Sequence, residues 1–274
     1  MNPIRQSYRY LVNRNRQDYP VENLRKSAIV FSPHQDDETL GCGGTIIRKK
    51  QAGADVKLVF MTDGSGSHAH LMNAQKLKEI RRDEAVEAAA VLGLDRQKDI
   101  FFLEFKDGGL KFNQQKALPK ILDILADVCP EEVFIPYSKE EPPDHWVTNQ
   151  IVQSALQKSV LNLTVYEYPI WFWRQWPWTS FIGRPREILS CLKNTWSSGF
   201  GYKFLTDLKC SVYIGDVLEQ KRTALKQHRS QMQRLVDDPR WMTLGDLSKG
   251  EFLDCFFQEY EFFHRSEITS KLLT

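Results

Sequence analysis

The chain has 274 residues, a length that suits one α/β domain with a full core. Hydrophobic residues make up 42% and charged residues 26%, which excludes global disorder. A net charge of +2, from 37 basic and 35 acidic residues, gives no electrostatic case for nucleic acid as the main partner.

The five cysteines are scattered and form no CxxC pair, which argues against a disulfide framework or a cysteine metal site. The early arginines Arg5, Arg9, Arg14 and Arg16 are followed by no apolar run. No stretch reaches the ~18 apolar residues of a membrane span. The expectation is a cytoplasmic protein without membrane contact; the sequence is silent on oligomeric state.

In chain order, Ala28–Phe31 is a compact apolar run ending in Ser32-Pro33 and reads as a buried strand. Val56–Met61, Ile100–Phe105, Val133–Ile135 and Val165–Tyr168 read the same way. Between them lie segments of helix length, Thr39–Ala52, Ala74–Leu92, Gln114–Val128 and Val147–Ser159. Strands alternating with helices imply βαβ units and a mostly parallel sheet flanked by helices. Residues 169–209 are irregular and rich in Trp, Pro and Gly; Ser211–Ile214 then reads as a strand and Val217–Leu235 as a helix. No repeat or linker divides the chain, so residues 1–274 are expected to form a single α/β domain with its core at about 26–235.

The densest chemistry is Pro33-His34-Gln35-Asp36-Asp37-Glu38, just past the first long strand. Open α/β sheets bind ligands outside the carboxyl ends of their strands. One imidazole and three carboxylates in so short a span repel unless a cation or donors offset them. Zinc takes imidazole nitrogen and carboxylate oxygen. His34 and Asp37, three apart in a strand-to-helix turn, can point at one centre. Asp36 cannot easily share it, but can accept a proton from water held there. The plainer reading of the acids is helix capping, where carboxylates favour the N-terminus. A third ligand has to come from another strand end, and His145 fits, after Pro142-Pro143-Asp144.

Several other features have two readings. Leu77, Arg81, Glu84, Ala88 and Leu92 share one helical stripe, so Arg81 and Glu84 form either a surface ion pair or a charged pair aimed at a pocket. Gly41-Cys42-Gly43-Gly44 could cradle a phosphate, which keeps open a nucleotide-dependent enzyme, but lacks the full GxGxxG spacing; close helix packing is the simpler role. His68 and His70 form a reserve ligand pair. Tyr166, Tyr168, Trp171, Trp173, Trp176 and Trp178 could stack on a sugar or pack a local core.

Pro33–Glu38 resembles the signature of the LmbE-like, or PIG-L, zinc-dependent N-acetylglucosamine deacetylases. The resemblance extends through Thr62-Asp63-Gly64, Arg81-x-x-Glu84 before Leu92-Gly93, Phe102-Leu103 with Asp107-Gly108, Pro143-Asp144-His145, and Lys221 with His228-Arg229-Ser230-Gln231. It implies a Rossmann-like fold, zinc on His34, Asp37 and His145, Asp36 as general base, and Arg81 and Asp107 on sugar hydroxyls. The implied partner is an N-acetylated amino sugar or glycoconjugate. Gln35 replaces a common proline. Pro142 stands where many members carry a histidine that helps hold the oxyanion. His228 is the candidate substitute on the substrate side, and a carbohydrate-binding protein without catalysis is the alternative outcome.

Overall fold

The computed structural model describes residues 3–269. In chain order these hold α1 (Pro3–Asn15), β1 (Gln17–Asp18), β2 (Ala28–Ser32), α2 (Asp37–Gln51), β3 (Val56–Thr62), α3 (Ala74–Leu92) and β4 (Ile100–Phe105). Then follow α4 (Gln114–Val128), β5 (Glu132–Pro136), α5 (Pro143–Lys158), β6 (Leu163–Tyr168), α6 (Pro185–Ser197) and α7 (Tyr202–Asp207). The chain continues through β7 (Cys210–Tyr213), α8 (Leu218–Gln227), α9 (Arg229–Met232), α10 (Glu251–Asp254) and β8 (Tyr260–Ile268).

One eight-stranded sheet runs in the order β1-β7-β8-β6-β5-β2-β3-β4. β6, β5, β2, β3 and β4 are parallel neighbours. Strands buried on both faces divide their side chains between two cores by simple alternation. Val30, Leu58, Phe60 and Phe134 point into one core, and Ile29, Phe31, Val59 and Val133 into the other. The first core packs against α2, α3 and α8; the second receives Ala117, Ile121 and Leu125 of α4 and Val147, Ile151 and Ala155 of α5. The result is the mixed α/β sheet with mostly parallel strands that the sequence pattern implies.

β2 pairs with β3 on one side and with β5 on the other. The chain therefore reverses its direction across the sheet at β2. A crevice opens there beyond the carboxyl ends of β2 and β5, where such sheets bind ligands. The turns after β2, β4 and β5 carry the polar residues singled out above.

Three departures from the sequence pattern have physical causes. The expected helix over 217–235 breaks at His228 (φ −74, ψ 60), separating α8 from α9. The buried pairing of His228 with Glu38 takes over at that point from helix continuation. β8 went unread because its nine residues lie antiparallel between β6 and β7, a partnership visible only in three dimensions. α6 and α7 fall within the segment that reads as irregular. Among the described residues, no helix is long and apolar enough to cross a membrane.

The glycines of α2 settle a choice. Gly41 lies under the Tyr168 ring and Gly44 under Ile214, so close that a Cβ at either would overlap them. They are buried inside the helix and not in a loop at its start. They serve close packing, and the phosphate-cradle reading is withdrawn.

Candidate metal centre

His34, Asp37 and His145 meet at the crevice, with one ligand-type atom of each within 4.8 Å of the others. Asp37 Oδ2 is 3.3 Å from His34 Nδ1 and 3.3 Å from His145 Nε2. It also accepts the backbone N–H of His34 at 3.0 Å, which fixes the turn after β2. The two imidazole rings lie with centroids 5.3 Å apart.

His145 is fully buried, and neither ring nitrogen has a hydrogen-bond partner. Burial drives its pKa down to about 4, so the ring is neutral. A neutral buried imidazole facing a carboxylate with its lone pair unused is a cost unless a cation takes that lone pair. Burial opposes charge on His34, yet Asp107 and Asp144 beside it, with Asp37, hold its pKa well above the ordinary value. Burial also opposes charge on Asp37, but His145 and His34 outweigh it and leave the carboxyl lowered. The cluster thus demands positive charge, and its two imidazoles and carboxylate fit a divalent ion.

A second group of possible ligands is His34 with Asp107 and Asp144. Here His34 Nε2 lies 3.3 Å from Asp107 Oδ1 and 3.5 Å from Asp144 Oδ2. The two groups use opposite nitrogens of one ring. A metal-bound histidine generally donates its other ring N–H to a carboxylate. By that division of labour one group would hold an ion with His34 and the carboxylates of the other would orient its ring; the group with Asp37 and His145 brings a second imidazole, the other only carboxylates. Asp107 and Asp144 have structural duties as well. Asp144 accepts Gly108 N at 2.7 Å and Leu110 N at 3.2 Å, tying the loop after β4 to the start of α5. Asp107 accepts Gly66 N at 2.9 Å.

Asp36 sits beside the cluster in a backbone conformation few residues adopt (φ 140). Two neighbours enforce it. Glu38 accepts the Asp36 N–H at 3.0 Å, and Arg81 donates to the Gln35 carbonyl and, at 3.3 Å, to Asp36 Oδ1. The Asp36 side chain makes no capping bond to α2, which removes the plain capping reading for this residue. Burial raises its carboxyl to about 7 against the pull of Arg81; a cation nearby would draw it down.

The Arg81–Glu84 stripe resolves in the same way. All five of its residues are buried. The two charged side chains do not serve each other. Arg81 faces Asp36, while Glu84 accepts Ser230 N at 2.8 Å and Ser230 Oγ at 2.6 Å.

A cavity of about 640 Å³ opens over this cluster, lined in part by His34, Asp36, Asp37, Arg81, Asp107 and Pro142. Of the six aromatic residues considered for sugar stacking, only Trp171 lines it. His228 does not line it. Its Nε2 pairs with Glu38 Oε1 at 2.9 Å and lies 3.4 Å from Thr39 Oγ1. Burial opposes charge on His228, but Glu38 prevails and raises its pKa. His68 lines the cavity, but stacks on Trp241 at 4.1 Å and pairs with the Met242 carbonyl; it belongs to neither ligand group.

Glu140 escaped the sequence reading. Its side chain is fully buried, with Oε2 3.6 Å from His145 Nδ1. It accepts the backbone N–H groups of Ile170, Trp171 and Phe172. Burial raises its carboxyl to about 8. Its position five residues before His145 was the available signal, but nothing in the spacing points it inward.

Residues 29–156 match the family described as PIG-L: GlcNAc-PI de-N-acetylase. The chain is 25% identical over 217 residues to a diacetylchitobiose deacetylase of Thermococcus kodakarensis, covering 77% of this chain and 72% of that one. It is 28% identical over 237 residues to a 1D-myo-inositol 2-acetamido-2-deoxy-alpha-D-glucopyranoside deacetylase of Rhodococcus opacus, covering 74% and 81%. The solved N,N'-diacetylchitobiose deacetylase of Pyrococcus horikoshii has the same fold, with a TM-score of 0.65 at 20% identity over 97% of this chain and 94% of that one.

Proposed function

We propose that this chain, which carries a PIG-L family domain over residues 29–156, is a zinc-dependent hydrolase that removes an N-acetyl group from an amino sugar or sugar conjugate. The observation that carries the reading is the orphaned, buried His145 ring meeting His34 and Asp37, which line the cavity together with Asp36. His34, Asp37 and His145 would hold the ion. Zinc bound there would supply Lewis acidity, polarising the amide carbonyl and bringing the pKa of a coordinated water to ~7.

The rest of the chemistry falls to the chain. Asp36 accepts the proton of the attacking water and returns it to the amine as the C–N bond breaks. Arg81 holds the Asp36 carboxylate in place and fixes the strained turn. Asp107 holds the His34 ring and faces the cavity, where it and Arg81 are the candidate partners of sugar hydroxyls. Pro142 brings no side-chain donor and no N–H to the wall, so oxyanion stabilisation falls to groups other than position 142. All five cysteines are unpaired, which supports a reducing compartment such as the cytoplasm.

The test is acetate release by the zinc-loaded protein across a panel of N-acetylated sugars and their conjugates. Release from at least one, lost on chelation and restored by zinc, is the expected result. Binding of zinc and sugar with no acetate from any member would replace the enzyme with a carbohydrate-binding protein.

A further inference from the structure

The cavity has a second wall that the chemistry above does not use. Trp171, Met242, Leu244, Leu247 and Phe252 line it, and Arg184 and Arg240 from the same part of the chain line the cavity as well. The Trp171 and Phe252 rings stack with centroids 5.1 Å apart. All five apolar residues lie C-terminal to the 29–156 segment that holds the metal-side groups. Leucine, methionine and phenylalanine side chains offer no useful donor or acceptor to a sugar hydroxyl. A wall built of them is matched to hydrocarbon.

The backbone beneath this wall is strained in its favour. Leu247 leaves the helical region (ψ 122), and Ser248, Lys249 and Gly250 follow with φ of 47, 54 and 89. Two successive non-glycine residues in the left-handed region persist only where the surroundings fix them. The Thr243–Asp246 capping box does so from the N-terminal side, with Asp246 also paired to Arg234 at 3.4 Å. Relaxing this turn to an ordinary helix end would re-aim Leu247. Strain concentrated at the base of a ligand-facing residue points to recognition.

Size points the same way. Even at the ~30 Å³ that a water takes in the liquid, the fifteen heavy atoms of an N-acetylhexosamine fill only about 450 Å³. The cavity holds about 640 Å³. The sugar and its acetyl group leave part of the cavity unfilled.

We infer that this wall is a subsite for an apolar substituent carried by the amino sugar. The substituent is an alkyl or aryl group, joined either at the glycosidic oxygen or as a longer acyl chain on nitrogen. The inference rests on the amino-sugar reading above and names the class of substrate within it.

Calorimetry on the full-length, zinc-loaded Asp36→Asn variant measures affinity without turnover. Three ligands suffice: methyl N-acetylglucosaminide, hexyl N-acetylglucosaminide and methyl N-heptanoylglucosaminide. One of the two long-chain ligands should bind at least about tenfold more tightly than the first, since each buried methylene contributes roughly fourfold. Which one does so tells the two attachment points apart. Adding Leu247→Asn should bring that ratio to within about twofold of one, and Met242→Gln, from a separate part of the wall, should lower it too. Ratios near one for both ligands, or a ratio that survives both substitutions, would overturn the subsite. Acetate release by the wild type is read separately. Its absence would remove the hydrolase reading and leave the affinity ratios to decide the subsite.

Discussion

The two parts of the chain contribute to one cavity in different ways. Residues 29–156 bring the imidazoles and carboxylates gathered around His34, from the turns after β2 and β4 and from the first turns of α2 and α5. Residues 157–269 bring the apolar wall, and they brace the first part from behind. Glu261 of β8 accepts Gly44 N and Thr45 N of α2 and pairs with the buried Lys221, which donates to the Leu40 carbonyl. Ser230 of α9 holds Glu84, and His228 holds Glu38. Chemistry therefore sits on strand ends and is local in sequence. Recognition and bracing depend on contacts that span the chain. Mutations in the first part should change metal content or turnover at constant stability, and those in the second should change stability or specificity.

The largest expected effect is at His145. His145→Ala removes one of three proposed ligands and should reduce zinc affinity by ~10²-fold or more, since even outer partners of a metal site cost 10–100-fold. Elemental analysis and chelator competition measure it. Wild-type metal content in this variant would return the ion to the alternative group of His34, Asp107 and Asp144. Asp36→Asn comes next. It should keep zinc and lose ~10²–10⁴ in kcat, because an amide cannot accept the proton. Metal loss with unchanged activity per zinc would make Asp36 a ligand.

Glu140 joins the two regions. It lies against His145 Nδ1 and holds the backbone from which Trp171 reaches the cavity. Glu140→Gln keeps the shape but replaces the carboxyl group with an amide. Zinc affinity should fall by about tenfold, through weaker support of the imidazole. Trp171 fluorescence should shift as its backbone anchor weakens. Unchanged zinc affinity with only a lower melting temperature would confine Glu140 to holding the loop.

How far this division is legible in the sequence follows from the same locality. The parallel sheet is readable because β2, β3 and β5 are short apolar runs bounded by turn residues, with a helix-length segment after each. The gathering of His34, Asp37 and His145 at one sheet edge follows from where those strands end. The helical stripe of Arg81 leaves a surface ion pair and an inward-facing pair equally open, and it does not say what Arg81 meets. Glu140, β8 and the apolar wall are not readable. Glu140 is one acid in a run of acids, and nothing local marks it as the one turned inward. β8 is specified by two strands distant in sequence. Leu244 and Leu247 lie on a backbone whose positive φ values occur at serine and lysine, residues that do not advertise them.

His228 offers the smallest effect and the sharpest test of the comparison. The sequence makes it the candidate for the oxyanion donor missing at Pro142. The structure sets its ring against Glu38, off the cavity wall, and Glu38 in turn holds the Asp36 N–H. An oxyanion donor touches the reacting atoms, and losing one costs ~10²–10³ in kcat. A positioning residue acts through Glu38 and Asp36, and its loss should cost turnover less than about tenfold. His228→Asn keeps a donor of shorter reach and leaves the Glu38 carboxylate buried without its imidazole partner. The expected outcome is a stability loss of about 1–3 kcal/mol, the usual range for leaving a buried polar group poorly satisfied. Zinc content should be intact and KM unchanged. Thermal melting and steady-state kinetics on the same preparation separate the cases. A hundredfold fall in kcat at unchanged stability would place His228 in the chemistry, and the division between a catalytic first part and a bracing second part would fail at that residue.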